Sequence, residues 1–139
     1  MAMDDSEGSV VHLLHKAAQI ADGAFTRAVR RLTPRQFAIL KAVAASEGLS
    51  QTALISATGI DRSTISSVVR LLETSQLLAR KRVRDDTRTY AVTLTDRGRR
   101  ELERATQIAD KVEAELLKRL PIRERTQFLQ SLAVFSRRE

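Results

Sequence analysis

The spacing of apolar residues predicts four helices in the first half of the chain. In four successive segments these residues recur every three or four positions, which is the spacing of one helical face. The predicted helices cover residues 9–32, 34 to about 46, 50–57 and 62–75. Thr33 and Gln36 form a capping box before the second helix, with Pro34 at its first position, and Ser50 and Asp61 are N-caps for the next two helices. The residues expected to face inward are Val10, Leu14, Ala17, Ala21, Phe25, Ala28, Leu32, Phe37, Leu40, Val43, Ala44, Ala53, Leu54, Ala57, Ile65, Val68, Val69 and Leu72.

The period then changes to two, which predicts a β-hairpin. Residues 77–84 and 88–94 alternate as strands do, and Asp85-Asp86-Thr87 lies between them. A fifth helix follows from Asp96 to about Arg119, and a sixth begins at Pro121. The first, fifth and sixth helices, which we call the outer helices, are too long and too apolar for a monomer. We therefore expect them to form a dimer core. The residues expected at the dimer interface are Val10, Leu14, Val112, Leu116, Phe128, Leu132 and Phe135.

This order of elements predicts a mainly α protein with a small β-hairpin wing. Helices three and four, joined by a short turn that contains Gly59, read as a helix-turn-helix, and the following hairpin makes it a winged helix. We expect three parts: an acidic, disordered N-terminus, a helical dimerisation region in two segments, and a winged helix-turn-helix DNA-binding domain. Their ranges are 1–9, then 10–32 with 96–138, and 33–95.

Composition narrows the classes of function. The 139 residues contain no cysteine, which excludes disulfides, thiol chemistry and the common zinc fingers. Aromatic residues make up only 4%, too few for a single-strand stacking platform. The N-terminal MAMDDSEGS has no apolar segment typical of a signal peptide, and no apolar run is long enough to span a membrane. We therefore expect a cytoplasmic protein.

Charge points to a polyanionic partner. The net charge is +7, and residues 61–100 hold ten Lys and Arg against five Asp and Glu. The outward face of the fourth helix carries Arg62, Ser63, Thr64, Ser66, Ser67 and Arg70. Arginines of this kind pair with guanine, and hydroxyls meet phosphates or base edges. These residues predict binding to the major groove of duplex DNA.

Two further groups extend the predicted DNA contacts. Ser50 and Gln51, at a helix start, are placed to contact phosphate. In the hairpin, alternation places Arg80, Arg82 and Arg84 on one strand face. At the hairpin tip, Asp86 is expected to orient Arg88 toward a narrow minor groove. The alternative is a winged helix that binds protein and has a nonspecific basic face.

The remaining groups of residues give weaker indications of a binding or catalytic site. His12 and His15 share a helical face, but without a third ligand they do not predict a metal site. We expect them to be solvent-facing or at the dimer edge, and the alternatives are a pH-dependent contact or a place in an effector cleft with Phe37. Phe37 and Tyr90 are otherwise expected to pack. No catalytic arrangement is present, so we expect neither an enzyme nor a cofactor.

The motifs together resemble those of the MarR (multiple antibiotic resistance regulator) family over residues 10–138. The hairpin carries the most specific part, Asp86-x-Arg88 followed by Val92-x-Leu94-Thr95-x-x-Gly98. The other matching residues are Leu32-Thr33-Pro34, Gln36-Phe37, Leu40, Leu49-Ser50-Gln51, Leu54, Gly59, Asp61, Ser63-Thr64, Leu71-Leu72-Glu73 and Leu77-Leu78.

This resemblance implies a triangular homodimer that binds a pseudo-palindromic operator, with recognition helices in successive major grooves and wings in the minor grooves. It implies a repressor, released when a small anion enters a cleft between the dimer core and the DNA-binding lobe. The chain departs from the family pattern at Ser66-Ser67, at Thr87, and at Gln76, where the family usually has glycine. Gln76 is strained if that position needs a positive φ.

Overall fold

The computed structural model describes residues 8–82 and 90–137. It confirms a mainly helical chain with one antiparallel hairpin. The elements are α1 (Val10–Ala28), α2 (Pro34–Ala45), α3 (Gln51–Thr58), α4 (Arg62–Thr74), β1 (Leu78–Arg82), β2 (Tyr90–Leu94), α5 (Asp96–Leu117), a 3-10 turn (Ile122–Glu124) and α6 (Arg125–Phe135).

Local capping explains why these helices begin where they do. Thr33 and Gln36 make a reciprocal capping box, with Oγ1 of Thr33 accepting from the Gln36 N–H at 3.1 Å and Oε1 of Gln36 accepting from the Thr33 N–H at 3.0 Å. Ser50 and Thr95 cap α3 and α5 through their hydroxyls. Each hydroxyl accepts a backbone N–H that the helix itself leaves without a partner.

The first helix ends earlier than its pattern predicted. It stops at Ala28, and Val29 has an extended backbone with φ −102° and ψ 96°. Leu32 still reaches the core, but from a connecting segment rather than from the helix. Thr33 precedes a proline, which disfavours helical geometry, so the chain must leave the helix before the capping box begins.

A tight turn connects α4 to the hairpin. The N–H groups of Gln76 and Leu77 donate to the carbonyls of Glu73 and Leu72, both at 2.9 Å, which is the Schellman pattern. That pattern puts Gln76 at φ 61°, so the position does require the left-handed conformation. The strain expected at this departure from glycine is therefore present.

The core lies where α2, α3 and α4 meet the hairpin. Its fully buried side chains are Ile39, Leu40, Val43, Leu54, Ile65, Val69, Leu72 and Val92. The predicted inward stripe was wrong at Ala44 and Ala57, which are exposed, and it missed Ile39, which is 0% exposed. In α2 the larger side chains Ile39, Leu40 and Val43 share the buried face, and this turns Ala44 outward.

The hairpin is fastened to the helices at its base. Strands β1 and β2 pair from Leu78 with Leu94 to Arg82 with Tyr90. Leu49 bridges to Val92, whose N–H donates to the Leu49 carbonyl at 2.8 Å. This bridge fixes the hairpin beside the start of α3.

The outer helices leave apolar side chains uncovered. In α1 Phe25 is buried, whereas Val10 is 58% exposed, and α6 buries none of its residues. The exposed large apolar residues of these helices and the intervening turn are Val10, Val11, Leu13, Leu14, Ile20, Ile122, Phe128, Leu129, Val134 and Phe135. Most of the predicted α1 stripe is therefore not buried within one chain.

Candidate nucleic-acid interface

Helix α4 presents a polar face because its opposite face is anchored in the core. Ile65, Val69 and Leu72 are buried at helical spacing. Gly59, at φ 72°, provides the left-handed turn that aims α4 away from α3. Of the residues predicted to contact DNA, Arg62, Ser63, Ser67 and Arg70 are exposed, and Thr64 and Ser66 are half-buried.

Asp61 organises the start of α4. Its carboxylate accepts from the Thr64 N–H at 2.9 Å, from the Ser63 hydroxyl at 2.8 Å and from the Thr64 hydroxyl at 2.9 Å. The hydrogen bond from the Thr64 backbone, followed by those from the Ser63 and Thr64 hydroxyls, lowers the pKa of Asp61 to about 2. Asp61 is therefore ionised at physiological pH.

A polar cleft is lined by predicted DNA-contacting residues of the α3 start and of α4, and by residues of the hairpin. Its volume is 290 Å³, and it brings together Ser50, Gln51, Thr52, Arg62, Ser66, Arg80 and Tyr90. Oγ of Ser66 donates to Oε1 of Gln51 at 3.4 Å, which links α4 directly to α3. The cleft thus places the predicted phosphate contacts beside the predicted groove contacts.

Arg80 and Tyr90 also line this cleft, whereas the sequence predicted that Arg80 projects from a strand face and that Tyr90 packs. The guanidinium of Arg80 pairs with the Glu73 carboxylate and lies 5.3 Å from the centre of the Tyr90 ring. The Arg80 side chain is only 27% exposed, so it does not project freely from the strand beside Arg82 as alternation suggested. Arg80 is two residues from the buried Leu78, so the two side chains lie on the same face of the strand and Arg80 turns toward α4. This alternation was the feature of the sequence that could have predicted its position.

The hairpin tip lies outside the described residues. Arg84, Asp86 and Arg88 all fall between residues 82 and 90. Their expected contacts with DNA stay predictions.

The residues predicted to line an effector cleft are not brought together within one chain. Phe37 is half-buried, with its ring centre 5.1 Å from that of Phe25 on α1. His12 and His15 are exposed near the start of α1. At 1.5 Å per residue, His15 lies about 15 Å along the helix from Phe25.

A different cleft combines cations with apolar walls. It has a volume of 410 Å³ and lies between the α1–α2 connection, the end of α4 and the start of α5. Arg31 and Arg97 line it together with Gln36, Leu71 and Glu101. Glu101 accepts from Arg31 at 3.0 Å. Arg97 has no ion-pair partner among residues 8–82 and 90–137.

An apolar groove runs between α1 and α5. Its volume is 450 Å³, and its walls include Ala24, Ala28, Ile108, Val112 and Leu116. Two of these, Val112 and Leu116, were predicted to lie at a dimer interface. The groove is open along the side of α1 and α5 that the rest of the described chain does not cover.

The described ranges lack two other kinds of site. There, no group of three or more His, Cys, Asp or Glu side chains is placed to hold a metal ion. No helix in the same ranges is long and apolar enough to cross a membrane.

Comparison with known proteins identifies the family. The family model described as MarR family matches residues 30–89, from within the α1–α2 connection to the residue before β2. The transcriptional regulator HosA of Escherichia coli O127:H6 is 34% identical over 99 residues, which are 71% of this chain and 73% of HosA. The chain belongs to the MarR family. Its helix-turn-helix and hairpin are therefore the winged helix of a transcriptional regulator.

Solved MarR-family structures share this fold over nearly the whole chain. The transcriptional repressor CouR, bound to a 23-mer DNA duplex, superposes with a TM-score of 0.88 at 30% identity, covering 99% of both chains. BpsR of Bordetella bronchiseptica, whose DNA binding is regulated by 6-hydroxynicotinic acid, superposes with a TM-score of 0.85 at 30% identity. That match covers 91% of this chain and 98% of BpsR.

Proposed function

We propose that this MarR-family protein is a homodimeric repressor that binds a pseudo-palindromic operator in duplex DNA. The observation that carries the proposal is the exposed polar face of α4. Arg62 and Arg70 lie on that face without an ion-pair partner in the described part of the chain, while the opposite face is buried. Unpaired guanidinium groups on a rigid helix are suited to guanine edges in the major groove.

Within this proposal, α4, the start of α3 and the wing contact different parts of the DNA. Arg62, Ser63, Thr64, Ser66, Ser67 and Arg70 contact the major groove. Ser50 and Gln51 hold a phosphate at the start of α3, next to Arg62 in the polar cleft. Arg84 and Arg88 serve the wing, with Asp86 orienting Arg88.

The proposed dimer covers the apolar stripes of the outer helices. Val10, Leu14, Phe128 and Phe135 are exposed in one chain, which costs free energy in water. A second copy is the occupant we propose for the α1–α5 groove, because the apolar residues of α1 and α6 supply a complementary surface. Residues 10–32 and 96–138 then form the dimerisation region, and residues 33–95 form the DNA-binding domain.

We also propose regulation by a small organic anion. The cleft that Arg31 and Arg97 line has the cations and apolar walls such a molecule needs. His12 and His15 take part beside Phe37 only if the second chain brings them there. The relative BpsR supports this proposal, because 6-hydroxynicotinic acid, an aromatic acid, regulates its binding to DNA.

Selection from a random duplex library tests the DNA proposal. At near-physiological salt we expect an inverted repeat with half-sites about 10 base pairs apart. Retained binding without an enriched sequence would contradict the proposal and favour a protein-binding winged helix with a nonspecific basic face.

Light scattering tests the dimer separately. We expect the mass of two chains, and Leu116→Glu is expected to shift it toward one chain. Leu71→Glu is the control for a new carboxylate at an apolar position, because Leu71 lies on α4, away from the groove. A monomer in the unchanged protein would contradict the dimer.

A further inference from the structure

Four hydroxyl groups on α4 donate hydrogen bonds to other groups of the protein. Ser63 and Thr64 donate to Oδ1 and Oδ2 of Asp61 at 2.8 and 2.9 Å. Ser67 donates to the Ser63 carbonyl at 3.0 Å, and Ser66 donates to Gln51. A carboxylate and a carbonyl can only accept, so the direction of these bonds is set by chemistry.

A hydroxyl group whose hydrogen atom is already used in one hydrogen bond still has lone pairs. Toward a ligand it therefore acts as an acceptor. In the major groove, cytosine N4 and adenine N6 are donors, whereas guanine O6 and thymine O4 are acceptors. An acceptor on the protein therefore matches the amino bases and meets repulsion from the keto bases. The two arginines of the same face are donors and have the opposite preference.

We propose that Asp61 sets the base specificity of α4 by holding the Ser63 and Thr64 hydroxyls as acceptors, which select adenine or cytosine over guanine or thymine on the strand they face. This inference rests on the proposed binding of DNA. Asp61 itself is a positioning residue, because it acts through the two hydroxyls.

The difference between the two helix starts supports this assignment. Helix α3 is capped by the neutral Ser50, which leaves the positive end of its dipole available to a phosphate. Helix α4 is capped by a carboxylate that stays ionised and exposed. The charge of Asp61 repels phosphate, so the start of α4 is suited to base edges rather than to the DNA backbone.

The test compares base preferences after selection from a random duplex library for the unchanged protein and four variants. Ser63→Ala and Thr64→Val remove one acceptor each and identify the base positions that each hydroxyl reads. Asp61→Asn keeps a capping oxygen for the Thr64 N–H, but its NH₂ group donates to one of the two hydroxyls. That hydroxyl then has its own hydrogen atom available to donate to a base. Asp96→Asn is the matched control, since it removes one negative charge from the first turn of α5 without touching α4.

At the positions identified by Ser63→Ala and Thr64→Val, the unchanged protein is expected to prefer adenine or cytosine about two- to tenfold, as one hydrogen bond allows. Asp61→Asn is expected to reduce that preference at one position and to admit guanine or thymine there. Asp96→Asn is expected to leave the preferences unchanged. Thermal unfolding of each variant verifies that it is folded.

Three results would overturn the inference while leaving sequence-specific binding intact. They are keto bases at the identified positions, no position that responds to Ser63→Ala or Thr64→Val, or the same preferences in Asp61→Asn as in the unchanged protein. If the unchanged protein enriches no sequence at all, the proposed function fails, and the inference fails with it.

Discussion

Gly98→Ala tests how closely α5 packs against the turn that follows α4. A Cβ atom at position 98 would lie 2.1 Å from the Leu77 carbonyl oxygen, 3.0 Å from its carbonyl carbon and 3.3 Å from its Cα. All three are backbone atoms, so no side chain can rotate away. The same carbonyl oxygen accepts from the Thr95 N–H at 3.1 Å.

The expected cost follows from these contacts. Relieving the clash requires the backbone to move by about 1 Å, and overpacking of this kind costs about 1–3 kcal/mol. Weakening the bond from Thr95 adds about 1 kcal/mol, while the better helix propensity of alanine returns about 1 kcal/mol. We expect a net loss of about 2 kcal/mol, which lowers the Tm by roughly 6–10 °C for a chain of this length.

Gly23→Ala is the matched control for this measurement. A Cβ at position 23 meets only the end of the flexible Arg27 side chain, at 3.3 Å, so the Tm is expected to stay the same or to rise by a few degrees. Calorimetry of both variants at one protein concentration gives the comparison, because the Tm of a dimer depends on concentration. A Tm of Gly98→Ala equal to that of the control would refute the close approach.

Three further predictions concern the turn, the cap and the wing. Gln76→Gly is expected to stabilise the fold by about 0.5–1 kcal/mol in urea unfolding, because glycine relieves the left-handed strain at a cost in unfolded-chain entropy; a loss of stability would contradict this. Because folding lowers the pKa of Asp61 from 3.8 to about 2, the ionised cap contributes its full stability above about pH 4 and loses it as the pH falls toward 2. The stability difference between the unchanged protein and Asp61→Ala should shrink over that interval, and a constant difference would count against the low pKa. Arg88→Ala is expected to weaken DNA binding several-fold and to reduce the log–log salt slope by about 0.9, and an unchanged slope would argue against the wing contact.

The sequence by itself determined the elements, their order and most of their boundaries. The capping box at Thr33 and the N-caps at Ser50 and Asp61 depend on hydrogen bonds within three residues, so local spacing was enough to predict them. The hairpin likewise follows from a change of period that is visible along the chain. The strain at Gln76 was anticipated only through the family resemblance, because the family usually has glycine at this position, and the structure shows that the turn needs a positive φ.

Only the tertiary structure decided which side chains are buried and which polar atoms remain free. The pattern could not tell that Ile39 is buried and Ala44 exposed, because burial depends on elements that approach from elsewhere in the chain. It also could not show that Glu73 captures Arg80 across the α4–hairpin junction. The donor or acceptor character of the α4 hydroxyls depends on where each proton points, and that direction is set by the three-dimensional position of its hydrogen-bond partner.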